Sequence, residues 1–538
     1  MAANEPGAPV VFDGQSLRTA DVRRIAERGA TCTVPAEVLD RAARNRARLE
    51  EIVARGLPVY GVTTGFGPMV NMLVDPALET ELQTNLVRSH SAGVGPLFDE
   101  QESRAILAAR LNALARGYSA VRPALLERLA LYLNAGITPA VPEIGSLGAS
   151  GDLVPLAHLA ATVIGEGQVL RDGRAVETGP VLRGFGIKPL ALRFKEGLAL
   201  INGTSAMTGL GALVVNRAGD QVRQAEIAAA LALEVLRGSS SPLLAAGHEL
   251  ARPHRGQIDS AANLRGLTAG SGLLREHGEL ARLARESAAG QPGGPGVQRA
   301  DTSLQDAYSL RAVPQILGAV RDALRHAEEQ LDTELNSAND NPLLVEDAEI
   351  FHGANFHGQP VAFAMDYATI ALTQLGVLSE RRTNRLLNHR LSDGLPEFLV
   401  PGAPGLHSGF AGAQYPATAL VAENRTIGPA STQSIPSNAD NQDVVSMGLV
   451  SARNARRVLR NNNSILAVEL LATAQAVDVS GRARALGPAG RAAYRSVRSL
   501  VPRLDRDRPM SEDIARVAAG LERGDLLAAV GAAGVTLR

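Results

Sequence analysis

Apolar residues recur at helical spacing over most of the chain. From Gln101 to Asn134 two stripes follow one another, Ile106, Leu107, Leu111 and Leu114, then Leu125, Leu126, Leu129 and Leu133. Pro123 separates them and Gly136 ends the second, so the pattern predicts two helices. Residues 16–28 read as a short amphipathic helix, a second helix follows Pro35, and Glu79 to Ser89 reads as a third. Beyond residue 205 the periodic runs lengthen, to residues 206–237, 309–336, 359–390 and 443–478. A helix of about 30 residues is ~45 Å long and buries its stripe only by lying beside others. Sustained heptads with alternating e and g charges are missing, which argues against a coiled-coil rod and for a bundle. Apolar faces left over on such helices favour oligomerisation.

Two stretches interrupt the pattern. Residues 168–189 read as a small hairpin or loop excursion with Arg171-Asp-Gly173 as the turn signal, and Gly290-Gln-Pro-Gly-Gly-Pro-Gly296 is too rich in breakers to be regular, and reads as a flexible flap or a plain linker. The expected segmentation is residues 1–205, a mixed N-terminal region; 206–480, the long-helix bundle; and 481–538, a helical cap punctuated by Pro488, Pro502 and Pro509.

Composition narrows the core and the partners. Of 538 residues 45% are hydrophobic but only 3% aromatic, with no Trp, so Ala, Leu and Val must fill the interior. The net charge of −1 gives no field for a nucleic-acid backbone or an anionic membrane surface. The single Cys32 cannot form an intrachain disulfide, the first residues lack a secretory pattern, and no uninterrupted apolar run reaches the length of a membrane span. These features predict a cytoplasmic protein that uses neither nucleic acid nor membrane.

Candidate chemistry concentrates between Gly145 and His158, in Gly-Ser-Leu-Gly-Ala-Ser-Gly-Asp-Leu-Val-Pro-Leu-Ala-His. Ala149 is followed by Ser150, which can lose its hydroxyl, and by Gly151, whose unhindered amide nitrogen can approach the preceding carbonyl. Loss of two waters leaves a five-membered ring whose exocyclic methylene is more electron-poor than any encoded side chain. In a chain this rich in Ala and Gly the tripeptide alone is a weak signal; its neighbours give it weight.

With Pro155-Leu-Ala-His158 behind it, this stretch resembles the signature of the aromatic amino acid ammonia-lyases and 2,3-aminomutases, which carry a methylidene-imidazolone (MIO) group. The resemblance continues, in order, through Tyr60-Gly-Val-Thr-Thr-Gly-Phe-Gly67, Asn202-Gly-Thr204, Tyr308-Ser-Leu-Arg311, Asp340-Asn-Pro342, Gly353-Ala-Asn-Phe-His357 and Asn441-Gln-Asp443. It implies a mostly α long-helix bundle of the aspartase/fumarase-like superfamily. It also implies MIO formed autocatalytically from Ala149-Ser150-Gly151, and a homotetramer whose active sites are shared between subunits.

The roles it implies are these. Tyr60 removes the β-proton of an aromatic amino acid, a demanding task for a group with a reference pKa of ~10, ionised in only ~1 molecule in 1000 at pH 7. Tyr308 stands beside the prosthetic group and Arg311 grips the substrate carboxylate, for which its planar fork is suited. Asn202 bonds the imidazolone or the carboxylate, Gln305, Asn341 and Gln442 add polar lining, and Phe356 packs on the ring system. Taken singly, Tyr60 reads equally as a packed aromatic, Arg311 as a surface ion pair and the amides as satisfied structural groups.

Selectivity rests on fewer positions. His90 and Tyr415 match the pair that contacts the phenolic hydroxyl in tyrosine aminomutases, and Ser89 precedes His90 where phenylalanine-specific relatives carry an apolar pair. Gln442 replaces the glutamate of histidine lyases. Gly67-Pro68 and Asn71 depart from the family's pattern in the lid, which suggests a ring-modified tyrosine as an alternative substrate. His352 and His357 are the only close histidine pair and lack metal-site spacing, so no metal is expected. The sequence therefore predicts a 2,3-aminomutase acting on L-tyrosine or a close analogue. A tyrosine ammonia-lyase is the nearest alternative, and an inactive helical scaffold or binding protein the alternative of another class.

Overall fold

A computed structural model describes residues 7–345 and 350–538. Residues 1–6, on which the expectation of no secretory leader rests, lie outside the described residues. The chain is mostly helical, and its compact units are not consecutive blocks. One unit combines Met1–Asn216, His326–Tyr367 and Pro429–Ala455, the other Arg217–Arg325, Ala368–Gly428 and Arg456–Arg538. The units cut across the boundaries expected at 205 and 480, because all four long helices contain residues of both.

The first unit is organised around the helix Glu100–Ala115. Asp99 and Glu102 close a capping box at its start, with Asp99 accepting from the Glu102 N–H at 2.8 Å. Its apolar stripe is present, but Ala108, Ala109 and Ala113 let neighbours approach the remaining faces, so Arg110 and Asn112 are buried too. Asn112 is satisfied by the Leu335 carbonyl at 2.9 Å and the Gly14 N–H at 3.1 Å. Pro123 opens the next helix, Pro123–Ala135, and Gly136 ends it in the left-handed conformation (φ 66°), as the sequence predicts. The expected hairpin forms from Gln168–Arg171 and Arg174–Glu177 in register Arg171↔Arg174, and Thr138–Pro139 adds a third strand. The excursion then turns helical over Thr178–Gly184 rather than continuing as hairpin or loop.

In the second unit buried carboxylates pin helices together. Glu226 accepts from Arg321 at 2.8 and 2.7 Å and from Asn263 at 2.7 Å, and Glu469 accepts from Arg382 and from Ser379. Such pairs fix which helices meet, while the Ala and Leu faces supply the apolar burial. The run expected over 309–336 divides into Tyr308–Arg311 and Val313–Leu335, and that over 443–478 starts only at Gly448. The breaker-rich stretch is more ordered than its composition predicts: Pro292–Gly294 pairs antiparallel with Val297–Gln298. The helix Gln359–Leu387 contains 18 residues of mean hydropathy 1.5, enough by length and composition to cross a membrane, although 67% of that stretch is buried inside the protein.

Candidate active site

Residues 145–152 form a turn between the strand Pro142–Ile144 and the helix Leu153–Val163. Gly148, Ser150 and Gly151 all take positive φ (76°, 51° and 78°). Serine rarely occupies this region, so the surroundings must hold it there. They do so closely. A Cβ on Gly151 would lie 2.2 Å from the Gly203 carbonyl oxygen, so only glycine permits this contact. The Ser150 carbonyl accepts from Asn202 Nδ2 at 2.9 Å and from the Gly203 N–H at 3.2 Å. The Ser150 hydroxyl faces Gln442 Nε2 at 3.4 Å, and Asn202 Oδ1 is buried without a partner among the described residues.

Behind the turn, Asp152 accepts from Ser146 Oγ and the Met207 N–H, both at 2.8 Å, while its own N–H donates to the Gly203 carbonyl at 2.7 Å. Burial pushes the Asp152 carboxyl up to about 6, against these hydrogen bonds and Arg110, which pull it down. Met207 lies in the first turn of the helix Ser205–Val235, and the Met447 N–H, just before the helix Gly448–Ser480, donates to the Leu147 carbonyl at 3.0 Å. Three helix N-termini therefore converge on the turn, a positive electrostatic environment for developing anionic charge.

Above Ser150 lies a cavity of about 340 Å³, lined by Tyr60, Gly67, Ser89, His90, Ser150, Asn202 and Gln442. Seven residues singled out from sequence thus meet in one place. The Tyr60 hydroxyl oxygen accepts from the Gly67 N–H at 3.0 Å, and its ring meets Phe66 edge-on at 6.4 Å. His90 Nδ1 lies 3.0 Å from the Leu86 carbonyl. The same Nδ1 lies 3.0 Å from Ser89 Oγ, so the backbone and Ser89 hold this side of the ring. Leu82, Leu86, Leu153 and Leu198 supply apolar wall, and Asn85, Asn438 and Asn441 add amides. Asn85 and Asn438 escaped the sequence reading. Gly67 is locked to the second: a Cβ there would fall 2.6 Å from Asn438 Nδ2.

Other expected residues lie elsewhere. Asn71 and Asn341 line a second cavity of about 640 Å³ with Tyr60 and His352, so Asn71 shares its space with Asn341 rather than with His90 and Ser89. Asn341 Oδ1 accepts from the Gly353 N–H at 2.7 Å. Phe356 is half-buried in the loop before Gln359–Leu387. Gln305, Tyr308 and Arg311 belong to the other compact unit and line a cavity of about 510 Å³ with Asp306 and Gln315. There the Arg311 guanidinium stacks on the Tyr308 ring at 4.7 Å, Tyr308 is 70% exposed, and Arg311 Nε has no partner among the described residues. Tyr415, on the helix Ala411–Arg425, is 73% exposed.

Sequence reasoning missed the charged layer beneath the turn. Arg110 is fully buried; it donates to the Asn202 carbonyl at 2.7 Å and to Asn339 Oδ1 at 2.8 Å. Asn339 Nδ2 donates to Thr204 Oγ1 at 2.7 Å, and Thr204 in turn donates to Glu334, whose carboxyl burial pushes up. Lys195 and Asp340 form a fully buried pair at 2.5 Å.

Comparison with known proteins agrees with this geometry. Residues 17–499 match the aromatic amino acid lyase family. A MIO-dependent tyrosine 2,3-aminomutase of Streptomyces globisporus is 68% identical over 97% of this chain and 96% of its own. A tyrosine ammonia-lyase of Cupriavidus metallidurans is 57% identical over 98% and 99%. The crystal structure of the tyrosine aminomutase from Streptomyces globisporus superposes with a TM-score of 0.96 at 66% identity, covering 99% of this chain and 100% of that one. The match runs from residue 17 to residue 499 and the fold agrees with it over nearly the whole chain, so this chain is a member of the aromatic amino acid lyases.

Proposed function

We propose that the protein is a 2,3-aminomutase converting L-tyrosine, or a ring-modified tyrosine, to the β-amino acid, with MIO formed from Ala149-Ser150-Gly151. The observation that carries this reading is the pair of donors, Asn202 Nδ2 and the Gly203 N–H, on the Ser150 carbonyl, in the cavity that also holds Tyr60 and His90. The positive φ of Ser150 and the Cβ-free contact of Gly151 with Gly203 fit a condensed ring at these residues. When formed, the group supplies an electron-poor methylidene carbon that makes the α-amine a competent leaving group.

The chain's own side chains do the rest. Tyr60, aligned by the Gly67 N–H, takes the β-proton, and the converging helix N-termini favour the anionic charge this requires. His90 pairs with the substrate phenol, a contact that discriminates against phenylalanine because a polar group left unpaired in the occupied site is costly. The leucines around Ser150 exclude water from the amine. Asn85, Asn438 and Asn441 offer amides to a ring substituent.

Arg311 holds the substrate carboxylate, with Tyr308 and Gln305 beside it. None of these three lines the cavity of Tyr60, and in this reading the active sites of a homotetramer are completed by residues of another subunit. Exposed Phe363, Tyr367 and Ile370, spaced along one face of a helix, offer apolar surface for assembly. The curated relative named as an ammonia-lyase keeps the lyase reading as the alternative, since both begin with the same elimination.

A time course of products from L-tyrosine tests the reading. β-Tyrosine from the earliest points is the expected result. 4-Hydroxycinnamate with free ammonia and little β-isomer identifies a lyase. Neither product, with an intact mass that shows no loss of two waters, identifies a scaffold without the group.

A further inference from the structure

We infer that Arg110 is a positioning residue that drives assembly of the prosthetic ring by polarising the Asn202–Gly203 peptide toward the Ser150 carbonyl; the inference rests on the proposal that Ala149-Ser150-Gly151 condenses. The Asn202 carbonyl and the Gly203 N–H belong to one peptide group. Arg110 Nη1 donates to its oxygen at 2.7 Å, and its N–H donates to the Ser150 carbonyl at 3.2 Å. A charge-assisted hydrogen bond on a peptide oxygen withdraws electron density through the C–N bond and strengthens donation from the N–H at the far end. The second arm of the guanidinium is fixed by Asn339 Oδ1 at 2.8 Å. Gly203 has φ 138°, and a Cβ there would lie 2.5 Å from Arg110 Nη1 and 2.6 Å from Asn339 Oδ1, so the absent side chain is what admits the fork.

The contacts of Arg110 argue against simple charge pairing. It is fully buried and its pKa falls only to about 10, so it stays charged at neutral pH. Asp152, Glu334 and Asp340 act on it through space, yet its hydrogen bonds go to a peptide oxygen and an amide oxygen. A buried cation that spends its donors on a peptide carbonyl polarises that peptide.

The condensation gives this polarisation a target. The Gly151 nitrogen bonds the Ala149 carbonyl carbon; the first water carries off the Ala149 oxygen with the amide protons of Ser150 and Gly151. The second carries off the Ser150 hydroxyl with its Cα proton. As that Cα proton leaves, negative charge gathers on the Ser150 carbonyl oxygen, where the Gly203 N–H and Asn202 Nδ2 point.

The test follows the loss of two waters by intact mass after synthesis of the full chain, for the parent, Arg110→Gln and Arg110→Lys, with the melting midpoint and oligomer size as controls. Arg110→Gln is expected to slow the loss about tenfold or more, the scale of one charge-assisted hydrogen bond. Arg110→Lys keeps a cation but cannot span both acceptors, and is expected to fall between Gln and parent. Dehydration at the parental rate in either folded variant overturns the inference, and Arg110→Lys decides it alone where Arg110→Gln does not fold. A parent that never loses two waters overturns instead the proposal that the ring forms at all.

Discussion

The turn around Ser150 and the cavity around Arg311 hold polar groups in opposite conditions. At the turn the Ser150 carbonyl has two donors, both Asp152 carboxylate oxygens are occupied, and Gly151 is seated so tightly on Gly203 that no side chain fits. Around Arg311 the guanidinium leans on a tyrosine ring that is 70% exposed, and Arg311 Nε and Gln315 Oε1 find no partner among the described residues. Buried polar groups in folded proteins are nearly always satisfied. The backbone of the first region is therefore held from within the chain, as a site that builds its own electrophile requires, and of Asn202 only Oδ1 is left without a partner among the described residues. The second presents donors for a substrate carboxylate that arrives later.

Breaking the first region has the largest expected effect. In Gly151→Ala the new methyl meets the Gly203 carbonyl, and the residue must still adopt φ near 78°, so the turn cannot keep the geometry that brings the glycine nitrogen to the Ala149 carbonyl. Turnover of L-tyrosine should fall by at least about 10³-fold, the scale of losing an essential catalytic group. Intact mass should show both waters retained. Substantial turnover with both waters present would separate activity from the ring.

The second region should respond in affinity. Arg311→Lys replaces a planar fork by a point charge on a half-buried position whose guanidinium stacks on an exposed ring, so the fold loses little while the carboxylate loses one of two parallel bonds. A rise in KM of about 10-fold to 100-fold is expected, corresponding to one charged hydrogen bond, with an unchanged melting midpoint and unimpaired loss of two waters. A large drop in melting midpoint would show that Arg311 belongs to the folded frame after all.

The same contrast explains what could be read from the letters. Signals carried by neighbouring residues were legible: Pro123 and Gly136 mark helix ends, and Asp172-Gly173 turns the hairpin. Tyr60, His90, Ser150, Asn202 and Gln442 were legible through a motif and do share one cavity. Arg110 was not. Within an Ala and Leu stripe a lone arginine reads as a solvated charge, and the partners that make it otherwise are 92 and 229 residues away. The Gly290–Gly296 stretch failed in reverse: breakers forbid a long element but not a two-rung hairpin. Nor does composition reveal that Asn71 faces Asn341 while Ser89 faces the cavity of His90, because that depends on how the lid folds back.

The smallest effect separates the regions by pH. Asp152 is held near a pKa of about 6, above the ~3.9 of an unfolded aspartate, because burial disfavours its charge. A raised carboxyl binds its proton more tightly in the folded state, so its contribution to stability is full below pH ~4 and is lost as pH rises through 6. A shift of about two pKa units corresponds to ~3 kcal/mol across that window. Asp152→Asn cannot titrate, and its amide makes a poorer partner for the Met207 N–H, which adds a constant cost of ~1–3 kcal/mol. Melting midpoints of parent and variant, taken from pH 4 to pH 7, should therefore show the parent's advantage largest at the acid end, shrinking to nothing or reversing toward neutrality. Arg311→Lys, measured over the same range, should track the parent in parallel, because that substitution removes no buried titrating group. A gap for Asp152→Asn that stayed constant with pH would mean that Asp152 keeps an ordinary carboxylate pKa, and that the turn holds its geometry without the strain of a buried charge.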